Sequence, residues 1–262
     1  HGIILAKSIP AKKFHIQTGE TVVSAKEKCP NLILVPPNYD LYNRSSKALI
    51  RLLSEYTDKI EQYSIDEAFL DMTGCCDNPE QIAYEIKDRV HAELGFTVNI
   101  GVSENKLLAK MASDFTKPDQ VHTLWKTEIQ TKMWPLPASN LFYVGHASLV
   151  KLRKLGIHTI GELAATAPGI LQAHMKAHGL LIWQYANGID ETAVIDTPPP
   201  AKGYGNSLTT PQDVTEPDIA KQYLLSLSET IAARLRADSV KIGVVSVSLR
   251  DWDLRFYGHQ IT

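Results

Sequence analysis

An aspartate and a glutamate stand side by side within Tyr63-Ser64-Ile65-Asp66-Glu67-Ala68-Phe69-Leu70-Asp71. Apolar residues that favour strands, Ile65 and Phe69 among them, flank the pair. On a regular strand, neighbouring side chains point to opposite faces. Asp66 and Glu67 can therefore converge only where the chain turns or bulges, which predicts a hairpin tip or a sheet edge. A compact pair of carboxylates there suits Mg²⁺, a hard cation that combines one or two carboxylates with substrate phosphates. The chemistry such a patch serves is phosphoryl transfer. The competing reading of the same residues is a polar hairpin turn with both carboxylates solvated.

The pattern on either side predicts alternating helices and strands. Leu41, Ser45, Ala48, Leu49, Leu52, Leu53 and Tyr56 recur at helical spacing. Pro79 opens a second helix whose Ile82, Ile86, Val90 and Leu94 share a face. Phe96–Val102 alternates as a strand, and Ser103 is positioned to cap a helix running to about Phe115. Helix, hairpin, helix, strand, helix is an α+β arrangement with helices on one face of a sheet. Ahead of it, residues 3–6 and 32–35 are short strand-like runs and Lys12–Lys28 is a basic amphipathic stretch. Residues 128–190 are helical throughout, and Thr197-Pro198-Pro199-Pro200 is a stiff linker. Beyond it, 207–214 and 241–249 read as strands around a helix at 217–237.

Charge is more informative by segment than in total. The net formal charge is −2, but residues 1–38 carry +3, 39–127 carry −5, 128–190 carry +2 and 191–262 carry −2. An acidic centre between basic flanks suits a cation site bordered by phosphate-binding arms, and ordinary scatter of surface charge is the competing account of differences this small. Cys29, Cys75 and Cys76 have no zinc-like spacing and read as free thiols in a reducing, cytoplasmic setting. No apolar run reaches membrane-spanning length, and the first residues lack the features of a signal peptide.

The segment Tyr63–Asp71 resembles the second catalytic motif of Y-family lesion-bypass DNA polymerases of the DinB/UmuC (ImpB/MucB/SamB) type. Further matches follow in the same order. Gly101-Val102-Ser103-Glu104-Asn105-Lys106, continuing to Asp114, resembles the family's strand-turn-helix, and Lys117-Pro118 aligns with a triphosphate-binding lysine. Ser8 to Gly19 resembles the fingers, with Lys12 at the second triphosphate cation and Ile9-Pro10 replacing the usual Tyr-Glu. Phe142-Tyr143-Val144-Gly145-His146, with Leu155-Gly156-Ile157 behind it, reads as a helix-hairpin-helix. Its glycine permits a tight turn, and its backbone N–H groups face a DNA phosphate. Lys202–Thr209 and Arg250–Leu254 resemble parts of the little finger.

The resemblance implies a multi-domain right-hand polymerase. It has fingers at 1–38, a palm at 39–127, a helical thumb at 128–190, a linker at 191–201 and an incomplete α/β little finger at 202–262. It implies translesion synthesis in DNA repair and the SOS damage response, with two Mg²⁺ ions on Asp66 and Glu67 and a deoxynucleoside triphosphate on Lys12 and Lys117. Primer-template DNA would lie on Val144, Gly145, His146, Ser207, Thr209 and Arg250. It also implies an upstream strand bearing a further metal-binding Asp and a downstream tail for the sliding clamp, so the chain reads as shortened at both ends. A catalytically incomplete relative that only binds damaged DNA is the alternative.

Overall fold

The computed structural model describes residues 2–197 and 200–262. Of the linker expected at 191–201, Pro198 and Pro199 lie outside the described residues. The chain divides into two compact units, one comprising Asn38–Pro198 and the other His1–Pro37 with Pro199–Thr262.

Residues 2–37 carry two short helices, α1 (Ile9–Lys12) and α2 (Val22–Lys28), capped by the hydroxyls of Ser8 and Thr21. Ile4, Ile16 and Ala25 form a small core. The expected strand at 3–6 reduces to one bridge between Ile3 and Thr21. Residues 32–35 form no strand, and Ile33 and Val35 stay largely exposed. Pro36-Pro37 supplies no N–H to extend a ladder there.

In the Asn38–Pro198 unit, α3 (Tyr39–Leu53) starts at Asn38, whose side chain accepts from the Leu41 N–H. Strands β1 (Ile60–Gln62) and β2 (Ala68–Leu70) pair antiparallel, with Ile60 opposite Leu70 and Gln62 opposite Ala68. Helix α4 (Pro79–Arg89) is capped by Asn78, continues as a π turn over Val90–Leu94, and stops at Gly95, where φ is 75°. Strand β3 (Ile100–Val102), helix α5 (Lys106–Ser113) and strand β4 (Val121–Thr123) follow, with β3 and β4 parallel.

Leu52, Leu53, Ile86 and Val90 pack with Ile60, Leu70 and Ile100, so α3 and α4 share one apolar cluster with both strand pairs. The single sheet expected over 39–127 is instead two separate pairs of three-residue strands. Ladder hydrogen bonds define a strand, and among the described residues none joins one pair to the other. The Phe96–Val102 alternation accordingly becomes a strand only at its last three residues. Ser103 is not the cap of α5. Its hydroxyl donates to the Leu124 carbonyl, and Asn105 caps the helix by accepting from the Leu108 N–H at 2.9 Å.

A second core runs from α5 into the helical segment. Leu107, Leu108, Met111 and Ala112 pack with Met133, Leu152, Ile160, Leu163, Leu171 and Ile182. These come partly from α6 (His146–Lys154), α7 (Ile160–Ala165), α8 (Pro168–Met175) and α9 (Ala177–Ala186). Gly101 lets β3 lie directly on α5, since a Cβ there would stand 1.8 Å from the Ala109 carbonyl oxygen.

Residues 200–262 form α10 (Pro217–Ala237) and an antiparallel hairpin of β5 (Val245–Arg250) and β6 (Phe256–Ile261). None of these three elements contains a buried residue. The strand expected at 207–214 does not form. Its residues join no ladder among those described, and Pro211 interrupts the run.

Candidate functional site

The carboxylate pair sits in the loop joining β1 to β2. The N–H groups of Tyr63 and Ser64 both donate to the Glu67 carbonyl, at 2.9 and 3.1 Å, and close the loop. Ser64 Oγ donates to Asp66 Oδ1 at 2.7 Å and accepts the Asp66 N–H at 3.3 Å. Asp66 is thus fixed by a neutral hydroxyl and remains exposed. Glu67, half-buried at the mouth of β2, accepts from Lys110 Nζ at 2.9 Å.

Lys110 projects from α5, and its side chain is only 14 % exposed. It also reaches Asp114 Oδ2 at 2.7 Å. The other Asp114 oxygen, Oδ1, holds Lys117 Nζ at 2.7 Å. Glu67, Lys110, Asp114 and Lys117 thus form an alternating chain of two anions and two cations. Burial works against the charge on Lys110, but its two carboxylate partners outweigh it and hold the ammonium above its ordinary range. Burial likewise works against the charge on Asp114, and the two lysines outweigh it and hold the carboxyl below its ordinary range.

The hairpin is braced from below and beside. Asp71, just past β2, has a carboxyl held down to about 2 by hydrogen bonds from Thr73 and by Lys59. The buried Thr57 hydroxyl donates to the Asp71 carbonyl at 2.9 Å. Glu61 on β1 accepts from Lys106 Nζ at 2.7 Å and from the Ile195 N–H at 2.8 Å. Asp190 accepts the Leu107 N–H at 3.1 Å, so the segment after α9 is tied to both β1 and the start of α5.

An aromatic chain joins the carboxylate loop to the turn at 142–146. Tyr63 meets Phe69 at 5.7 Å and Phe142 at 6.0 Å between ring centroids. Phe142 meets Tyr143 at 4.6 Å, and Tyr143 meets Tyr185 at 5.9 Å. The Tyr143 hydroxyl, then burial, push the Tyr63 phenol up.

The left-handed backbone of this turn falls on Tyr143, with φ 69°. Gly145, expected to supply the tight turn, has φ −82° and is the N-cap of α6. Conformational freedom is not what it contributes. A Cβ there would meet no atom within 4 Å, and α6 has no side-chain cap, so the helix N-terminus opens onto clear space. Gly145 and His146 are exposed and Val144 is half-buried.

The structure thus brings Asp66, Glu67 and Lys117 into one neighbourhood, with Val144–His146 joined to it through the aromatic chain. Lys12 ends α1 in the other unit, exposed and in no ion pair among the described residues. Ser207, Thr209 and Arg250 are exposed in the C-terminal segment. Lys110 and Asp114 are the groups that the sequence reading passed over. Their i,i+4 spacing, with Lys117 three residues on, was the available signal.

Among the described residues, no three His, Cys, Asp or Glu side chains converge as a metal cluster. Asp66 and Glu67 supply the carboxylate oxygens that a hard cation takes together with phosphate and water oxygens, and Glu67 is occupied by Lys110. Also among the described residues, no helix is long and apolar enough to cross a membrane.

The described residues thus comprise an α+β body with an acidic hairpin, followed by a helical segment whose first full helix has no side-chain cap at its N-terminus. The impB/mucB/samB family model matches residues 1–114, and that family's C-terminal domain matches residues 201–262. DNA polymerase IV of Clostridium acetobutylicum is 45% identical over 262 residues, spanning 99% of this chain and 66% of the relative. DNA polymerase IV of Acetivibrio thermocellus is 40% identical, spanning 97% of this chain and 65% of its own. The chain therefore spans about two thirds of the length of the curated relatives it matches. Among solved structures, a Y-family DNA polymerase chimera of Dbh and Dpo4 superposes with a TM-score of 0.81 at 26% identity, covering 96% of this chain and 73% of that one. A Dbh ternary complex gives 0.68 at 25%, covering 100% and 78%. The chain belongs to the impB/mucB/samB family of Y-family, DinB-type polymerases.

Proposed function

We propose that this chain serves template-directed DNA synthesis past lesions, transferring a nucleotide from a deoxynucleoside triphosphate to a primer 3′-hydroxyl. The observation that carries the reading is the pairing of a hairpin-borne Asp66-Glu67 with a lysine relay ending at Lys117. Family membership supplies the reaction class. Asp66 and Glu67 would hold divalent cations, Mg²⁺ by preference for carboxylate and phosphate oxygens. Such ions neutralise charge developing on the transferring phosphoryl group and on the attacking and leaving oxygens. Lys117, and Lys12 from the fingers segment, would carry the triphosphate charge as point cations.

The open N-terminus of α6, with Gly145 and His146 at its mouth, would take a backbone phosphate of the duplex without reading its sequence. Ser207, Thr209 and Arg250 would add phosphate contacts from the C-terminal segment. Segments 1–38, 39–127, 128–190 and 202–262 would act as fingers, palm, thumb and little finger. A cytoplasmic setting and a sliding-clamp contact belong to the same reading.

The test is primer extension with Mg²⁺, in a chain extended upstream to the length of its relatives. Asp66→Asn should abolish incorporation and leave duplex binding within about twofold, because the lost carboxylate acts mainly on transition-state charge. Robust extension by that variant would remove the hairpin from the chemistry.

A further inference from the structure

The two groups expected to receive ligands are already engaged. Glu67 is held by Lys110 at 2.9 Å and Lys117 by Asp114 at 2.7 Å. Lys110 and Asp114 are joined to each other at 2.7 Å. Three of the four groups, at positions 110, 114 and 117, come from the end of α5 and its exit, and Glu67 comes from the hairpin.

Lys110 is the sheltered member of the relay. Its side chain is 14% exposed, whereas Glu67 is 39%, Asp114 44% and Lys117 56% exposed. Exposed ion pairs are weak and exchange readily, whereas a sheltered charge is costly to leave without a partner, and Lys110 is that charge here. A cation arriving at Glu67 must displace or share with the Lys110 ammonium. A phosphate arriving at Lys117 must displace or share with the Asp114 carboxylate. In each case the competitor can fall back on the inner partner and leave no unpaired buried charge.

We infer that Lys110 and Asp114 are positioning residues that form a charge latch: Lys110 competes with divalent cation for Glu67, and Asp114 competes with triphosphate for Lys117. The inference rests on the function proposed above. The latch keeps the four-group relay neutral and ordered without ligands, and it lowers the affinity for both. A purely structural role for the two residues makes the opposite prediction, because loss of order would weaken ligand binding.

The test measures binding without turnover on the 262-residue chain. Mn²⁺ alone is titrated by loss of the free-ion paramagnetic resonance signal. A deoxynucleoside triphosphate with Mg²⁺, and no primer, is titrated by calorimetry. Lys110→Met should bind Mn²⁺ about threefold to tenfold more tightly, and Asp114→Asn should bind nucleotide more tightly by a similar factor, as expected for removal of a partly screened ion pair. Lys117→Ala should weaken nucleotide binding, and in that background Asp114→Asn should give no gain. Thermal unfolding confirms that each variant is folded, and Lys110→Gln replaces the Met variant if that one is not.

Unchanged or weaker binding by folded Lys110 and Asp114 variants, with Lys117→Ala still weakening nucleotide binding, overturns the latch and leaves the proposed function standing. No effect of Lys117→Ala on nucleotide binding removes that lysine from the site, and both readings of it fail together.

Discussion

The segments 38–197 and 200–262 both carry helices and paired strands, longer in the second, but differ in what those elements bury. The first holds two apolar clusters, one around Leu52 and Ile86 and one running from Leu107 to Ile182. The second has a 21-residue helix and two six-residue strands, and none of these elements has a buried residue. Leu249, Trp252, Phe256 and Ile261 are each more than half exposed. Regular secondary structure and a self-sufficient core are therefore separate achievements of a sequence. The carboxylate loop and its lysine relay fall in the segment that has the core, where Lys110 is sheltered and Asp66 open.

The sharpest way to break this comparison is at Gly101. A methyl there would press into the Ala109 carbonyl at 1.8 Å and the Ser113 N–H at 2.6 Å, both backbone atoms of one helical turn. Gly101→Ala should cost about 4 kcal/mol or more, at the upper end for a single substitution. Denaturant unfolding followed by tryptophan fluorescence measures it. A loss under about 1 kcal/mol would mean that β3 and α5 do not touch as described.

What was legible in the sequence divides along the same line. The helix at 217–237 has the bounds that its sequence predicts, because Pro217 sets its first turn and the helical pattern runs unbroken from there. The helix opened by Pro79 and the tip at Asp66-Glu67 were readable for similar local reasons. Strands were not. The runs at 32–35 and 207–214 have the right composition, but a ladder needs a partner that composition cannot name. Gly145 misled for another reason: a glycine announces a missing side chain without saying whether backbone freedom or clear space is the use made of it. The relay through Lys110 and Asp114 was readable as helical spacing, but its link to Glu67 crosses 43 residues of chain and only the fold supplies it.

A matched pair of truncations sharpens the contrast. Leu152 on α6 is fully buried, and Leu249 on β5 is 52% exposed. Leu152→Ala should cost about 2–5 kcal/mol, as buried leucine truncations do. Leu249→Ala should stay within about 0.5 kcal/mol, as surface substitutions do. Chemical unfolding of both variants under one condition decides it. Equal costs would mean that 200–262 has a core that its exposure conceals.

The smallest expected effect is the response to acid. In 38–197, the carboxyls of Asp71, Glu93, Asp114, Glu128 and Glu162 are held below their ordinary range. For Asp71 the main cause is hydrogen bonding from Thr73. Arg89 holds Glu93 down. The lysines overcome burial at Asp114, and Lys132 does so at Glu128. The backbone N–H groups of His158 and Thr159 hold Glu162. A group depressed by folding contributes stability that is present above its unfolded value and is lost as pH falls through the folded one. For Asp71 that window runs from the ordinary carboxylate value of 3.8 down to about 2. Stability of this segment should therefore be flat from about pH 5.5 to 8 and decline below about pH 4. Three of the four tryptophans, Trp125, Trp134 and Trp183, lie in it, so a Trp252→Phe variant reports on it alone. Its fluorescence-detected melting temperature should drop steadily between about pH 4 and pH 2, and Asp71→Asn should make that drop shallower. A melting temperature that did not move over this interval would mean that these carboxyls are as free in the folded chain as in the unfolded one. The ion pairs around the hairpin would then contribute nothing to holding it.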